Sequence, residues 1–328
     1  MPRLGVSVGK FYPPHRGHKR LIEFAESRCD ELVVIVGSRP AEDPSANLRI
    51  AWLRLMHPNV RFELVDDVYP EDPEIWARVA IRVLGHAPNV AFAGESYGAA
   101  WARAMGCEFE IVDRTAGRET CSGTAVRNDP LGHWECLEPY VRAHYVKRVC
   151  AVGAESTGTT TVARDLAAHY QTLWVPEYGR DYYEDRIRSH SAEAKWSTYE
   201  FVHIAREQAR IEDLGALVAD RLLVCDTDSF ATEIWHERYM GTPSAEVAEV
   251  AAGRKCDLYL LTGVDIPFVQ DGYRDGENVR DWMHRRFREE LERRGKPYVL
   301  LEGDRKTRLS RAIERIDKLL GTSRRSFT

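Results

Sequence analysis

Apolar residues in the first half of the chain form short runs, separated by segments in which they recur every three or four positions. The runs at 4–8, 32–37, 60–66, 90–94 and 109–113 predict strands. The intervening segments have the spacing of amphipathic helices. Because a parallel sheet is covered by helices on both faces, its strands read as nearly continuous apolar runs. The first half therefore predicts a doubly wound α/β domain.

The alternation of strands and helices starts again near residue 147. Further apolar runs predict strands at 146–153, 172–177, 221–226, 257–263 and 298–303. A long helical stretch reaches residue 219, and a last helix is expected at 307–320. We therefore predict an α/β fold with two doubly wound parallel-sheet domains, at 1–146 and 147–328.

Composition indicates a soluble globular protein. Of the 328 residues, 44% are hydrophobic and 30% are charged, and the net charge is −5 at pH 7. This acidic balance disfavours nucleic-acid binding, which is typical of basic domains. No run approaches the roughly 18 apolar residues of a membrane span, and the N-terminus lacks a signal-peptide core. We expect a cytoplasmic enzyme, and the sequence leaves open whether it is a homo-oligomer.

The seven cysteines are scattered along the chain, and no two of them form a C-x-x-C pair. This arrangement argues against a disulfide framework and against a thiolate zinc site. We expect reduced core residues, since free cysteine is among the most buried residue types.

The first predicted strand leads directly into GKFYPPHRGH, residues 9–18. Open α/β sheets bind ligands at the carboxyl ends of their strands, and the helix that follows offers free N–H groups to an anion. Gly9 and Gly17 allow a ligand close to the backbone. His15 and His18 can face one phosphate and donate hydrogen bonds to it. A surface loop or a metal-binding histidine pair is the alternative, but no third metal ligand is evident nearby.

This stretch resembles the G-x-F-x-P-x-H-x-G-H motif of the nucleotidyltransferase superfamily. A second motif of that superfamily, I-S-x-T-x-x-R, is similar to CSGTAVR at 121–127, with cysteine in place of isoleucine. The resemblance implies transfer of an adenylyl group from ATP to a phosphate, with pyrophosphate leaving. It implies catalytic roles for His15, His18 and Arg127. The phosphate-binding residues that it implies are Gly9, Lys10, Phe11, Gly17, Ser122, Gly123 and Thr124.

A second glycine-rich stretch, GAESTGTTT at 153–161, lies between a predicted strand and a predicted helix. That is the context of a P-loop, G-x-x-x-x-G-K-[ST], whose backbone N–H groups surround phosphates. Thr160 has the position of the metal-binding hydroxyl, but Thr159 replaces the lysine. The ATP-binding residues predicted here are Gly153, Glu155, Ser156, Thr157, Gly158, Thr159, Thr160 and Thr161.

Acidic residues follow the next predicted strands. Glu177 ends one strand, where it can act as general base, and Asp226 ends the next. We predict that Thr160, Asp226 and Asp228 bind the metal ion, as at the acidic strand end of a P-loop enzyme. The loop DIPFVQDGYRD contains Arg274, which can close over a triphosphate. Each residue alone also fits a helix cap or a solvated charge, but the set at successive strand ends favours a site.

The order of these motifs, together with PEYGRDYY, CDTDSFAT and DIPFVQDGYRD, resembles the NadR family over nearly the whole chain. The resemblance implies an HxGH nucleotidyltransferase Rossmann-like domain followed by a P-loop kinase-like domain. It implies phosphorylation of nicotinamide riboside to nicotinamide mononucleotide (NMN), then adenylyl transfer to NMN, giving NAD. ATP would be the substrate of both reactions, with Mg²⁺ as cofactor. Some members begin with a helix-turn-helix domain, which we do not expect here.

A nicotinamide ring is flat and cationic, so we expect an aromatic partner for it in each site. We choose Trp76, on the helix after the third strand. Most such aromatic residues lie in cores, because they bury large apolar areas. The other candidates are Trp101, Tyr178, Tyr182, Trp196 and Trp235.

Three interpretations of the missing lysine are open. In the first, the chain is bifunctional and another cation supplies the charge. In the second, it is an adenylyltransferase whose second domain is a degenerate nucleotide sensor; in the third, it is a non-enzymatic binding protein. The acids Glu177, Asp226 and Asp228 favour the first, since a sensor needs no general base. The candidate cations are Arg274 first, then Arg180, Arg164 and Lys255.

Overall fold

The structure is a computed structural model, in which residues 2–96, 98–112, 121–189, 195–271 and 276–321 are described. The chain divides into two compact units, Met1–Arg142 and Ala143–Thr328. Each unit is built around its own five-stranded sheet, and all of the paired strands are parallel. The predicted α/β fold with two doubly wound sheets is therefore confirmed.

The first unit alternates strands and helices. Its strands are β1 (Leu4–Gly9), β2 (Glu31–Ser38), β3 (Arg61–Asp66), β4 (Val90–Ala93) and β5 (Glu108–Ile111). Its helices are α1 (Arg16–Glu26), α2 (Ala46–Met56), α3 (Pro73–Leu84), α4 (Gly98–Met105) and α5 (Gly123–Asn128), and α6 (Pro139–Tyr145) follows. The strand order is β3-β2-β1-β4-β5. The order reverses beside β1, and the carboxyl end at such a reversal is where doubly wound sheets bind ligands.

Helices cover both faces of the first sheet. On β2, Val33 and Ile35 pack with residues of α3 and α4, whereas Val34 and Val36 pack with residues of α1 and α2. Because successive side chains of a strand point to opposite faces, a strand buried on both sides must be apolar at every position. This explains why the run at 32–37 predicts β2 so well.

The second unit repeats this plan with longer helices. Its strands are β6 (Lys147–Val152), β7 (Trp174–Val175), β8 (Leu222–Asp226), β9 (Leu258–Thr262) and β10 (Tyr298–Leu301). Its helices are α7 (Thr159–Tyr170), α8 (Tyr178–Ser189), α9 (Thr198–Val218), α10 (Ser229–Met240), α11 (Ala245–Ala252), α12 (Arg280–Arg293) and α13 (Arg305–Leu320). The strand order is β10-β9-β6-β8-β7, so β6 is central and β8 and β9 flank it.

Strand β7 departs most from the predicted secondary structure. The apolar run predicts a strand at 172–177, whereas the strand contains only Trp174 and Val175. It is the edge strand of its sheet, and Pro176, which follows it, has no N–H to continue the ladder. Two paired residues are nevertheless enough to bring Glu177 to the carboxyl edge of the sheet.

A disulfide joins Cys121 and Cys136, so the expectation that the cysteines are reduced is wrong for these two. Their Cα atoms are 5.6 Å apart although 15 positions separate them in the sequence. Spacing alone does not reveal the pair, because α5 and the 3₁₀ turn Trp134–Cys136 first have to bring the residues together. The free cysteines are Cys29, Cys107, Cys150, Cys225 and Cys256.

Among the described residues, no helix is long and apolar enough to cross a membrane.

Candidate functional sites

His15 and His18 form a stacked pair at the start of α1, with ring centroids 3.7 Å apart. His15 Nδ1 accepts a hydrogen bond from the Gly17 N–H at 3.1 Å, which caps the helix. His18 Nδ1 accepts one from the His15 N–H at 3.3 Å. Because Nδ1 is an acceptor in both rings, each neutral imidazole carries its proton on Nε2. The pair therefore provides two Nε2–H groups that can donate to an anion.

Close packing determines the shape of this loop. Phe11 is only 2% exposed, has a left-handed φ of 48°, and lies with its ring centroid 4.9 Å from that of His18. A Cβ atom on Gly9 would lie 3.1 Å from the Phe11 ring, and one on Gly17 would lie 3.0 Å from the His15 ring. These two glycines therefore make room for the neighbouring rings.

The start of α5 faces the histidine pair. Ser122 caps this helix and accepts a hydrogen bond from the Ala125 N–H at 3.5 Å. A Cβ atom on Gly123 would lie 3.6 Å from His15 Nε2, so the two segments are adjacent. The structure thus brings together the two motifs that the sequence analysis singled out in this unit.

Arg127 links α5 to the histidine loop. Its Nη1 donates to the carbonyl oxygen of Tyr12 at 2.7 Å, and its Nη2 donates to Thr124 Oγ1 at 2.9 Å. The guanidinium also lies 5.3 Å from the centroid of the Tyr12 ring. Arg127 is therefore a fixed positive charge beside the histidine pair, held in part by Tyr12, which lies 115 positions away in the sequence.

Lys10 belongs to an ion triad at the carboxyl ends of β1, β2 and β3. Its Nζ lies 2.9 Å from Asp67 Oδ2, and Arg39 Nε lies 2.7 Å from the same oxygen. One carboxylate opposes two cations, so the triad keeps a net positive charge. Sequence reasoning found Lys10 but missed Arg39 and Asp67, whose roles depend on the alignment of three strand ends.

Sequence reasoning also missed Arg49, which is completely buried on α2. Its Nη2 donates to the Gly37 carbonyl oxygen at 3.3 Å, its Nη1 donates to that of Lys10, and it pairs with Glu42. It therefore ties the end of β1 to the end of β2. Its place inside an apolar helix face, in NLRIAW, is the signal that could have revealed it.

Trp76 is half-buried in the first turn of α3 and packs against the core under that helix. The edge of its ring meets Tyr69, with centroids 5.8 Å apart. Trp101 is 2% exposed and belongs to the same core. Of these two aromatic candidates, only Trp76 keeps a solvent-accessible face.

Residues 153–158 of the second unit have the backbone of a phosphate-binding loop. Ser156 and Gly158 are left-handed, with φ of 58° and 86°. A Cβ atom on Gly153 would lie 2.1 Å from Thr262 Oγ1, so a glycine is required there. Thr157 is buried, and its Oγ1 donates to the Ala154 carbonyl oxygen at 2.6 Å. A loop with these conformations turns successive N–H groups toward a bound anion.

Two buried arginines support the loop from other segments. Arg308 Nη1 donates to the Thr157 carbonyl oxygen at 2.6 Å, and Nε donates to that of Gly303 at 2.9 Å. Arg280 Nη2 donates to the Ile266 carbonyl oxygen at 2.9 Å. Both side chains bind backbone oxygens, which places them in the scaffold of the loop. The sequence carries no local signal for either role.

Glu155 connects the loop to α10 and to the segment after residue 275. Its Oε1 lies 3.1 Å from Arg238 Nη1, and its Oε2 accepts a hydrogen bond from the Gly276 N–H at 2.6 Å. This pairing offsets a negative charge inside a loop predicted to hold phosphate.

Asp226 and Glu177 form an acidic pair beside the loop. Asp226 is 2% exposed, and its Oδ1 has no hydrogen-bond partner among the described residues. Burial raises the pKa of Asp226, opposed by the hydroxyls of Thr160 and Thr159. Burial, followed by the negative charge of Asp226, raises the pKa of Glu177 to about 8. Burial is thus the main cause of both raised pKa values, although Arg180 acts against the shift of Glu177 and Arg164 against that of Asp226.

This arrangement fits Mg²⁺, which binds oxygen ligands and keeps several for water and phosphate. The unpartnered Asp226 Oδ1 and the Thr160 hydroxyl are suitable ligands. Among the described residues, no group of three or more carboxylates, histidines or cysteines could hold a metal by itself. A Mg²⁺ ion here would therefore take its other ligands from nucleotide and water.

Several other predicted residues do not line this cleft. Asp228 caps α10, accepting from the Ala231 N–H at 3.0 Å and from the Tyr259 hydroxyl at 2.7 Å. Thr161 is exposed on α7 outside the cleft lining. Arg274 lies outside the described residues. Lys255 pairs with Asp257 at the amino edge of the sheet, far from the loop.

The loop and the acids line one open cleft of about 390 Å³. At one side of it, aromatic side chains from α8, α10 and the segment before α9 gather around Trp196. Its ring centroid lies 5.9 Å from that of Tyr183 and 5.3 Å from that of Tyr239. The aromatic residues of the cleft wall are Trp174, Tyr183, Trp196, Phe201, Trp235 and Tyr239. Trp196 and Trp235 were candidates from the sequence, whereas Tyr183 and Tyr239 were not.

Two family models match the chain. Residues 6–173 match the cytidylyltransferase-like family, and residues 148–308 match an AAA domain family. The trifunctional NAD biosynthesis/regulator protein NadR of Escherichia coli is 28% identical over 98% of this chain and 84% of its own length. The nicotinamide-nucleotide adenylyltransferase of Aeropyrum pernix is 32% identical over 45% of this chain and 92% of its own.

Solved structures support the fold. A crystal structure of a NadR protein in complex with NR has a TM-score of 0.81 at 23% identity and covers 100% of this chain and 99% of its own. A second, in complex with NAD and AMP-PNP, has a TM-score of 0.77 at 22% identity, covering 98% of this chain and 97% of its own. The chain therefore belongs to the cytidylyltransferase-like family, and it is homologous to NadR over 98% of its length.

Proposed function

We propose that the chain is a bifunctional enzyme of NAD biosynthesis. The first unit transfers an adenylyl group from ATP to NMN, and the second phosphorylates nicotinamide riboside to NMN. The observation that carries the first activity is the stacked pair of His15 and His18 against the start of α5. The kinase activity is carried by the acidic pair Asp226 and Glu177 beside the phosphate-binding loop.

In the first site, the phosphate of NMN attacks the α-phosphorus of ATP and pyrophosphate leaves. The Nε2–H groups of His15 and His18 donate to phosphate oxygens as negative charge develops on them. Arg127 and the hydroxyls of Ser122 and Thr124 receive the pyrophosphate. None of these groups forms a covalent intermediate, so the site acts by positioning and charge stabilisation.

In the second site, a hydroxyl of nicotinamide riboside attacks the γ-phosphorus of ATP. Glu177 accepts the proton of that hydroxyl, while the loop N–H groups bind the phosphates of ATP. Mg²⁺, held by Thr160 and Asp226, would neutralise phosphate charge when bound. Once ionised, Glu177 is a suitable base because its raised pKa makes it a stronger proton acceptor than an exposed carboxylate.

The aromatic cleft wall supports a cationic nicotinamide ring as the substrate group of the kinase. A flat cation stacks favourably on indole and phenol faces. Trp196, Trp235 and Tyr239 offer such faces in the cleft that contains Glu177. In the first unit, Trp76 is the corresponding candidate.

Thr159, which stands where a P-loop has its lysine, favours one alternative function for the second unit. Without the P-loop lysine, the second unit would bind nucleotide as a sensor, and the chain would be an adenylyltransferase only. Glu177 in the same cleft argues against this, because nucleotide binding alone needs no general base.

The test is to incubate the purified chain with Mg-ATP and either NMN or nicotinamide riboside. Formation of NAD and pyrophosphate from NMN, and of NMN and ADP from the riboside, is the expected result. Omission of Mg²⁺ with excess chelator is the control. NAD formation without NMN formation would support the sensor alternative, and no product from NMN would overturn the proposal for the first unit.

A further inference from the structure

The second site lacks a cation at the place where P-loop enzymes use one. In those enzymes a lysine contacts the phosphate that is transferred. Here Thr159 has that position, and its hydroxyl faces Asp226 instead. With Asp226 and Glu177 adjacent, the described side chains beside the loop carry an excess of negative charge. Transfer of a phosphoryl group requires positive charge at the same place.

Most of the arginines near the loop already bind other groups. Arg308 and Arg280 bind backbone carbonyl oxygens. Arg238 pairs with Glu155. Arg180 lines the cleft, but its Nε lies 2.7 Å from Glu184 Oε1 and its Nη2 lies 2.8 Å from Asp271 Oδ2. None of these arginines is therefore set up to face a phosphate in the cleft.

Arg164 differs from all of these. It lines the cleft, is exposed, and forms no ion pair with any residue that the structure describes. Its guanidinium lies 4.8 Å from the centroid of the Trp174 ring, which fixes the direction of the side chain. Its side chain lines the same cleft as Asp226 and Glu177. The guanidinium therefore shares one cleft with the acidic pair.

Helix geometry also favours this residue. Arg164 and Thr160 are four positions apart on α7, so they share one face of the helix. Long side chains on a helix lean toward its N-terminus, here toward the phosphate-binding loop. The rise between the two residues is about 6 Å, a distance that an arginine side chain can span.

We propose that Arg164 supplies to the transferred phosphate the positive charge that a P-loop lysine would otherwise supply. The proposal rests on the proposed kinase function. In the step concerned, a bond forms between the riboside hydroxyl oxygen and the γ-phosphorus, and the bond from that phosphorus to the β,γ-bridging oxygen breaks. ADP takes the electron pair, Glu177 takes the proton, and Arg164 keeps its charge throughout.

The experiment compares the wild-type chain with Arg164→Gln, Thr159→Lys and the double variant. Arg164→Gln should lower kcat for phosphorylation of nicotinamide riboside by ~10²-fold, in the range for loss of one charge-stabilising group. Adenylyl transfer to NMN, measured on the same sample, should be unchanged and reports correct folding. The double variant, which adds Thr159→Lys to Arg164→Gln, should have a kinase kcat at least about tenfold higher than that of Arg164→Gln alone. Arg315→Gln, which removes an exposed arginine on α13, is the matched control.

Two results would overturn the assignment. One is a kinase rate of Arg164→Gln close to that of the wild type. The other is an impaired Arg164→Gln that gains nothing from Thr159→Lys, because Arg164 would then act on something other than the phosphate. If the wild type makes no NMN from the riboside, the kinase proposal itself fails. In that case Arg164→Gln must still weaken binding of Mg-AMP-PNP more than that of ADP, and equal or no weakening would overturn the assignment.

Discussion

The two phosphate sites of this protein are built in opposite ways. In the first, the binding groups come from two short segments, 9–18 and 121–127, and the histidines are held in place by backbone N–H groups of their own loop. In the second, the loop itself is regular, but its acids and supporting arginines come from distant segments. Arg308 reaches Thr157 from 151 positions away.

The difference shows that a complete motif and a complete site are separate properties. The first site has every residue of its two motifs except the isoleucine, which is Cys121 here, and the structure only has to bring the two segments together. The second lacks the most diagnostic residue of its motif, yet it has a folded loop, a metal-compatible carboxylate and the proposed base Glu177. If the two sites work independently, a change in one should leave the other intact.

The largest difference between the effects on the two activities is expected for His18→Ala. Adenylyl transfer should fall by about 10³-fold, because one of two Nε2–H donors to developing phosphate charge is lost. Phosphorylation of nicotinamide riboside should not change. Both rates are measured on one preparation, with His86→Ala, at an exposed position, as control. Loss of both activities in a folded variant would contradict independent sites.

The opposite pattern, in which the kinase activity falls and adenylyl transfer is kept, is expected for Glu177→Gln. Kinase activity should fall on the order of 10²-fold, because the group that accepts the hydroxyl proton is gone. Adenylyl transfer should persist, and a kinase rate near that of the wild type would remove Glu177 from the mechanism.

The pH profile of the kinase sharpens this assignment. Because the pKa of Glu177 is raised to about 8, the group is mostly protonated, and so inactive as a base, below that pH. kcat/KM for the riboside should therefore rise about tenfold per pH unit up to about pH 8 and then level off. The profile of adenylyl transfer serves as reference. An identical rise in Glu177→Gln would show that another group is responsible.

A smaller effect is expected for Arg127→Lys. A lysine keeps the charge but cannot bond both Tyr12 and Thr124, as the guanidinium fork does. We expect adenylyl transfer to fall about tenfold, since roughly one hydrogen bond to a charged group is lost. Steady-state rates with NMN test this, and Arg103→Lys on α4 is a suitable control. Full activity would mean that the charge alone matters.

Removal of the disulfide is expected to have the smallest effect on activity and a separate effect on stability. Cys136→Ser should lower the free energy of unfolding of the first unit by about 3 kcal/mol, since a cross-link over 15 positions no longer restricts the unfolded chain. Thermal unfolding with and without a thiol reductant measures this. Cys107→Ser, at a half-buried free thiol, is the control. No difference between wild type and Cys136→Ser under non-reducing conditions would contradict the prediction.

Much of the fold was predictable because parallel strands buried on both faces have an unambiguous pattern. The ten strands among the described residues were all predicted, and only β7 was much shorter than its apolar run, since Pro176 ends the pairing. Local sequence also predicted roles for the histidine loop, Arg127, Glu177 and Asp226, and the structure brings the first two together and the last two into one cleft. Asp228 was assigned to the metal because it follows the same strand as Asp226, but Tyr259 and the Ala231 N–H hold its carboxylate instead.

The sequence by itself determined the α/β order of elements and the two glycine-rich loops, because periodicity and turn chemistry are local properties. Only the tertiary structure decided which charges meet. It paired Cys121 with Cys136, placed Arg308 and Arg280 under the phosphate-binding loop, and left Arg164 in the same cleft as Asp226 without an ion-pair partner among the described residues. The physical reason is that Coulomb and hydrogen-bond energies depend on distances between side chains from different elements, and these distances exist only after packing.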